Sequence, residues 1–204
     1  RKTSLTKTAN LAVLMSMTIF QPYEFTNTYL ISKERCQEAI LIDPGHFDLD
    51  LLNLIENNHL YVSHVLLTHS HINHIHGIPT LMKIYKAKIY SMKSVIYGFD
   101  TELITKETDF HIAGIKVRAI PVPGHTDDSV IYKIENMLFT GDTIKAGYTG
   151  ETAGLSEQKA MTALIRRKIF KLTGEYLVFP GHGAPSTLAA EKKSNLLLKK
   201  DFAK

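Results

Sequence analysis

The run Thr68-His69-Ser70-His71-Ile72-Asn73-His74-Ile75-His76-Gly77 places four of the chain's ten histidines within eight residues. An apolar core has little use for four imidazoles together, and a solvated surface has no need of them. Neutral imidazole is the commonest side-chain metal ligand, and His/Asp clusters at short spacing are how proteins hold zinc, iron or manganese. What precedes the cluster constrains the fold. Val62-Ser63-His64-Val65-Leu66-Leu67-Thr68 reads as a strand, and the sequence from His74 onward reads as a helix. The histidines therefore sit on the turn leaving a strand's carboxyl end, where open α/β sheets carry their sites.

The rest of the chain supplies the remaining layers. Met15, Met17 and Ile19 alternate with Ser16 and Thr18, which suits a half-buried first strand over 11–20. Arg1, Lys2 and Lys7 ahead of that run imitate a signal peptide, but no small-residue cleavage site follows it and it is too short to cross a bilayer. Residues 1–10 are read as a tag or flexible N-terminus and 11–204 as one domain. Further strands are expected over 27–32, 38–43, 62–68 and 87–91, and helices over 47–59 and 78–85. The stretch 93–107 shows no clear period. Consecutive strands follow over 109–112, 115–121, 129–134 and 137–140, with Gly114 and Glu135-Asn136 as hairpin turns. A helix over 156–172, N-capped by Ser156, a strand over 175–179 and a helix over 187–198 close the chain. Strand-helix order in both halves, with hairpins beside it, predicts two sheets sandwiched between helices.

Composition excludes several classes. Hydrophobic content of 44% and charged content of 22% over 204 residues are those of an ordinary globular chain. The net charge of +4 comes from dispersed lysines, so neither nucleic acid nor a membrane is an expected partner and a small-molecule substrate is. Cys36 is the only cysteine, which rules out an intramolecular disulfide or a Cys-x-x-Cys pair and suits a reducing cytoplasm.

Three more segments end a strand on one polar residue beside glycine: Val122-Pro123-Gly124-His125-Thr126, Leu138-Phe139-Thr140-Gly141-Asp142-Thr143 and Leu177-Val178-Phe179-Pro180-Gly181-His182-Gly183. Glycine lets the backbone turn sharply or approach a site closely. With the histidine cluster, these segments give the chain a resemblance to the metallo-β-lactamase fold superfamily. The superfamily's pattern, His-x-His-x-Asp-His followed by Gly-His, Gly-Asp and Gly-His, is matched by His69, His71, Asn73, His74, His125, Asp142 and His182. Asp43, in Leu41-Ile42-Asp43-Pro44-Gly45, fits an earlier strand-end aspartate that supports the ligands. The resemblance implies an α/β fold, a four-layer αββα sandwich of two mixed sheets flanked by helices, with the site at one edge of the sheets.

By that resemblance His69, His71 and His125 hold a first divalent metal, Asp142 bridges to a second, and His74 and His182 hold the second. Zinc is the first choice, one or two per chain, with iron or manganese as alternatives. Such a metal lowers the pKa of bound water from 15.7 toward about 7 and polarises a carbonyl. Asp142 and Asn73 are the catalytic candidates, the first orienting the nucleophile, the second orienting water. Asn73 stands where relatives carry aspartate. A neutral amide is a weaker ligand and no base, so the second metal site is expected to be weaker. His76 stands where relatives have glycine; it is a candidate compensating ligand, although its place at a helix start directs it elsewhere. His46 is read as lining the entrance, and His59, His64 and His111 as surface or packing residues.

The segments around Gly124-His125 and Gly141-Asp142 look most like the hydroxyacylglutathione hydrolase (glyoxalase II) branch in its short form. Glu151 occupies a position where those relatives carry a cation, which argues against anionic glutathione as the carrier. The leading expectation is a metal-dependent hydrolase of a thioester or related ester, using metal-bound hydroxide. The alternatives are a mononuclear iron persulfide dioxygenase-like oxygenase, with iron on His69, His125 and Asp142, and a non-catalytic metal-binding relative.

Overall fold

The computed structural model describes residues 14–20 and 25–198. The expected tag over 1–10, and the start of the expected first strand over 11–13, lie outside the described residues.

Chain order is β1 (Leu14–Phe20), β2 (Asn27–Lys33), β3 (Glu38–Ile42), α1 (Leu49–Asn57), β4 (Tyr61–Leu66), α2 (Ile72–Ile75), α3 (Ile78–Ile84), β5 (Lys88–Ser91), β6 (Val95–Ile96), β7 (Phe99–Asp100), β8 (Glu102–Leu103), β9 (Thr108–Ile112), β10 (Ile115–Pro121), β11 (Val130–Ile134), β12 (Met137–Gly141), α4 (Leu155–Leu164), a π-helical continuation (Ile165–Ile169), β13 (Leu177–Pro180), β14 (Ser186–Thr187) and α5 (Leu188–Ser194). One mixed sheet runs β1-β2-β3-β4-β5-β8 and the other β14-β13-β12-β11-β10-β9.

Period-two alternation sorts the strand residues into layers. Leu30, Ala39, Leu41 and Val65 face outward and bury Leu51 and Ile55 of α1 and Ile78 and Leu81 of α3. Their neighbours Tyr29, Ile31, Ile40, Ile42 and Leu66 face the other sheet and meet Val117, Ala119, Tyr132 and Phe139. On the far side Ile120, Ile131, Leu138 and Val178 cover Met161, Ile165, Ile169 and Leu188. Helices, sheet, sheet, helices: the four expected αββα layers follow from which face each side chain takes.

The hairpins form as expected. Ile112 pairs with Ile115 across Ala113-Gly114, both at positive φ (48° and 69°), the geometry of a type I′ turn. Ile134 pairs with Met137 across Glu135-Asn136. Elsewhere the boundaries move. Asp48 accepts from Leu51 N at 2.9 Å, so the first helix starts at Leu49 rather than 47. Ser156 is not the N-cap of α4: Gly154 takes that position without a side-chain bond, and the helix widens into a π turn after Leu164. Met161, Ile165 and Ile169 still fall on one buried stripe. The closing helix starts at Leu188, one residue inside the expected start, with Thr187 as its N-cap, and stops at Ser194, because Asn195 turns extended (ψ 121°). The aperiodic stretch 93–107 holds the small β6-β7 ribbon and the edge strand β8, too short for a readable period.

β3 runs parallel to β4, and β12 parallel to β13, while β10 is two antiparallel steps from β12. The strands that end on Asp43, Thr68, His125, Asp142 and His182 therefore all point their carboxyl ends at one edge. The sheets are tied there: Val130 N donates to Thr68 O at 2.8 Å, and Asn27 N to Gly181 O at 2.8 Å.

Candidate metal centre

Asp43 starts the construction. Its φ is +49°, an uncommon backbone for a non-glycine residue that Asp tolerates better than most. The turn puts its carboxylate, 1% exposed, inside the edge. Oδ1 accepts from Thr68 N at 2.7 Å; Oδ2 accepts from Thr68 Oγ1 at 2.6 Å and faces His74 Nδ1 at 3.0 Å. Each contact fixes a proton. His74 Nδ1 must carry hydrogen to face a carboxylate, which leaves its Nε2 bare in the neutral ring. Thr68 spends its hydroxyl hydrogen on Asp43, so it can only accept from His69 Nδ1, 3.1 Å away. His69 Nε2 is thereby also bare.

Backbone carbonyls set the other two rings. His125 Nδ1 lies 2.7 Å from Glu151 O, and His182 Nδ1 lies 3.1 Å from Phe25 O. Both nitrogens must donate, so both Nε2 atoms present lone pairs inward. Phe25 holds its carbonyl there at φ +56°, a second strained residue serving the centre.

The bare nitrogens converge. His71 Nδ1 is 3.1 Å from His69 Nε2 and 3.1 Å from His125 Nε2, and one hydrogen cannot serve both. Tetrahedral ligands at about 2.0–2.1 Å from zinc stand roughly 3.3 Å apart, so this trio has the spacing of a metal site rather than of a hydrogen-bond network. Beyond it, His74 Nε2 and Asp142 Oδ1 are both buried with no hydrogen-bond partner, and they face each other at 3.6 Å. A lone pair against a lone pair is costly unless a cation lies near both. Among the described residues two sets place their ligand atoms within 4.8 Å of one another: His69, His71 and His125, and His69, His74 and Asp142. These donors fit a divalent cation.

Charge follows from placement. Burial, with neighbouring imidazoles adding, holds His69 well below the ordinary 6.5. Burial likewise lowers His71 and His182. Burial also opposes protonation of His74, but the Asp43 hydrogen bond and the Asp43 and Asp142 charges outweigh it and raise that ring. A group flanked by two carboxylates asks for a positive charge, from a proton or from a metal.

Close approach explains two of the glycines. A Cβ on Gly181 would meet His74 Cε1 and Asp142 Oδ1, and one on Gly150 would meet Asp142 O and His125 Nδ1.

The structure brings together all six expected ligands, His69, His71, His74, His125, Asp142 and His182. Asn73 joins them through its amide, with Nδ2 2.9 Å from His182 Nε2. His76 belongs to neither ligand set; its ring lies parallel to that of His46, with centroids 6.5 Å apart. His59 and His111 are exposed and His64 half-buried beside Tyr90. Four contributors had no motif to announce them: Thr68, the carbonyls of Phe25 and Glu151, and Lys145, whose Nζ lies 3.7 Å from Asp142 Oδ2.

The family model of the metallo-beta-lactamase superfamily matches residues 22–99 and 91–182. The chain belongs to this superfamily. A hydroxyacylglutathione hydrolase from Psychromonas ingrahamii is 32% identical over 71% of this chain and 57% of its own length. An atrochrysone carboxyl ACP thioesterase from Aspergillus terreus is 31% identical over 78% of this chain and 49% of its own. The crystal structure of ETHE1 from Myxococcus xanthus superposes with a TM-score of 0.81 at 27% identity, covering 89% of this chain and 83% of that one. The strand-end edge of that fold carries, in this chain, the His/Asp group of His69, His71, His74, His125 and Asp142 that could hold a metal ion. No helix among the described residues is long and apolar enough to cross a membrane.

Proposed function

We propose that the chain is a metal-dependent hydrolase of a thioester or a related ester. The observation that carries this reading is the convergence of His69 Nε2, His71 Nδ1 and His125 Nε2 at 3.1 Å spacing, with the Asp142 carboxylate alongside. A divalent ion held there, zinc by preference and otherwise iron or manganese, supplies an acidified water and a Lewis acid for the substrate carbonyl.

The chain's own groups do the positioning. Asp142 turns Oδ1 inward to His74, while Oδ2 lies 3.8 Å from His125 Nε2 and 3.6 Å from His182 Nε2. That second oxygen accepts a hydrogen bond from the attacking water and aims it. His69 and His74 are buried, whereas His71 is exposed and His182 half-buried, so substrate enters over the latter two. Phe25 and Ile72 are 68% and 52% exposed beside those histidines and offer apolar contact to an acyl chain. Asn73 has no carboxylate to act as a base, and a thiolate leaves without a strong general acid, so a thioester suits this inventory. Two relatives are named for acyl groups on carrier thiols, glutathione and ACP. The exposed Glu151, whose carbonyl holds His125, adds a negative charge on that flank of the centre and favours a carrier without carboxylates. A lone Cys36 accords with a reducing cytoplasm.

The test is thiol release by metal-loaded protein from a panel of acyl-glutathione, acyl-pantetheine and simple thioesters, beside carboxylic esters. Asp142→Ala should lose at least about a hundredfold in kcat. Full turnover of every active substrate by Asp142→Ala refutes the mechanism. Stoichiometric iron with oxygen uptake on a thiol persulfide replaces it with the oxygenase reading.

A further inference from the structure

We infer that this centre is built to hold one metal ion, with the Lys145 ammonium supplying the positive charge that a second ion gives in a two-metal site. The inference rests on the metal-site part of the proposed function and not on which bond is cleaved.

The two sides of the centre differ in what faces their donor atoms. On the His69 side, three ring nitrogens face one another at 3.1 Å with no hydrogen to share among them, and Asp142 Oδ2 lies 3.8 Å from His125 Nε2. On the His182 side, His74 Nε2 and Asp142 Oδ1 have no partner, but the two outer donors already face hydrogen-bearing groups. His182 Nε2 accepts from the Asn73 amide at 2.9 Å, and Asp142 Oδ2 faces Lys145 Nζ at 3.7 Å. A second ion would have to displace the amide hydrogen and enter beside an ammonium. Asn73 adds no negative charge in return. One dication and the Lys145 ammonium together match the three buried aspartates about the centre, Asp43, Asp128 and Asp142.

Lys145 is held, not merely nearby. Its N donates to Tyr148 O at 2.9 Å and its O accepts from Tyr148 N at 3.1 Å, which closes a tight turn with Gly147 at φ +82°. Two side chains of the C-terminal region clamp that turn. Glu191, 2% exposed, accepts from Gly147 N at 3.2 Å, and the fully buried Asn195 donates to Tyr148 O at 2.8 Å and to Glu191 Oε2 at 2.7 Å. A buried carboxylate committed to a surface turn has its reason in the residue the turn carries. The Lys145 side chain is only 29% exposed.

The test is equilibrium dialysis of the full chain against zinc, with bound metal counted by atomic emission and folding followed by thermal melting. Wild type should saturate at one equivalent. Asn73→Asp with Lys145→Met should bind two, the second at least about tenfold tighter than any second ion on wild type. Each single variant should move part of the way. Two equivalents on wild type under the same conditions overturn the inference, and so does a double variant that melts like wild type yet holds one. No bound metal overturns it together with the hydrolase reading. One bound ion without turnover of any thioester overturns the hydrolase reading alone and supports this one.

Discussion

Asp43 sets two ligand tautomers without being a ligand, so Asp43→Asn tests the construction. Asparagine tolerates the same left-handed backbone, φ +49°, and can keep the 2.7 Å bond from Thr68 N. It cannot accept from both Thr68 Oγ1 and His74 Nδ1–H, since its second position is an NH₂. Two charge-assisted hydrogen bonds at about 1.5–3 kcal/mol each are therefore at stake. Rotation of the hydroxyl and a tautomer switch of His74 recover part, leaving about 3 kcal/mol, or roughly 6–12 °C in Tm for a chain of this size. The tautomer switch has its own consequence, because a hydrogen on Nε2 blocks the atom that faces Asp142. Losing such a supporting partner typically weakens metal binding about 10–100-fold. Competition with a chromophoric chelator measures this directly, and melting with and without metal separates it from folding. An Asp43→Asn protein that holds zinc as tightly as wild type would refute the tautomer argument, whatever its Tm.

Metal removal by a chelator should lower Tm, and stoichiometric zinc should restore it, because ions bound only by the folded state add stability by mass action. The metal-free protein should also lose stability as pH falls from 7 to 5. His69, His71 and His182 have folded pKa values below 6.5, chiefly through burial, so the unfolded chain binds more protons there. His74 is raised and works in the opposite sense, its contribution full below 6.5 and lost as pH rises through its folded value. His64 is lowered by burial as well, so the lowered rings outnumber the raised one, and a Tm that climbs on acidification in chelator would contradict the net sign. Gly181→Ala should fold less stably and bind metal weakly, since its Cβ would displace His74 and Asp142; dialysis reads this. Tyr132→Phe removes a buried hydroxyl that donates to Leu67 O at 3.1 Å, across the two sheets. It should cost about 1–2 kcal/mol in urea melts while leaving metal stoichiometry unchanged.

Local chemistry made much of this molecule legible. Gly114 announced its hairpin because two-residue loops demand residues that accept positive φ, whereas at Glu135-Asn136 it is Glu135 that takes φ +48°. The layers were legible in the strand-helix order of both halves, but not in the run Tyr29-Leu30-Ile31, apolar throughout, which the structure divides between opposite faces of one strand. The ligands were legible because each follows a strand end with glycine close by. What stayed hidden depends on contacts remote in the chain. Phe25 supports His182 across 157 positions, and no pattern around either residue encodes that meeting. The end of α5 was hidden for the same reason. Asn195 leaves the helix to satisfy Tyr148 and Glu191, a tertiary demand that overrides local propensity. Ser156 looked like a cap by residue type, but the helix begins one residue before it, at Leu155.

The supports of the ligand tautomers bypass the side chain at position 73. The tautomers of His69 and His74 are set by Asp43 and Thr68, that of His125 by Glu151 O and that of His182 by Phe25 O. None of these supports passes through residue 73. Its backbone does matter to the frame, because its carbonyl packs directly over Gly45. The side chain is free to change chemistry while the main chain keeps its place. An aspartate there would add charge and a fourth donor on the His182 side; the asparagine instead spends an amide hydrogen on His182 Nε2. On the one-ion proposal, the asparagine sets how many cations the centre holds while leaving intact the geometry that presents the remaining ligands.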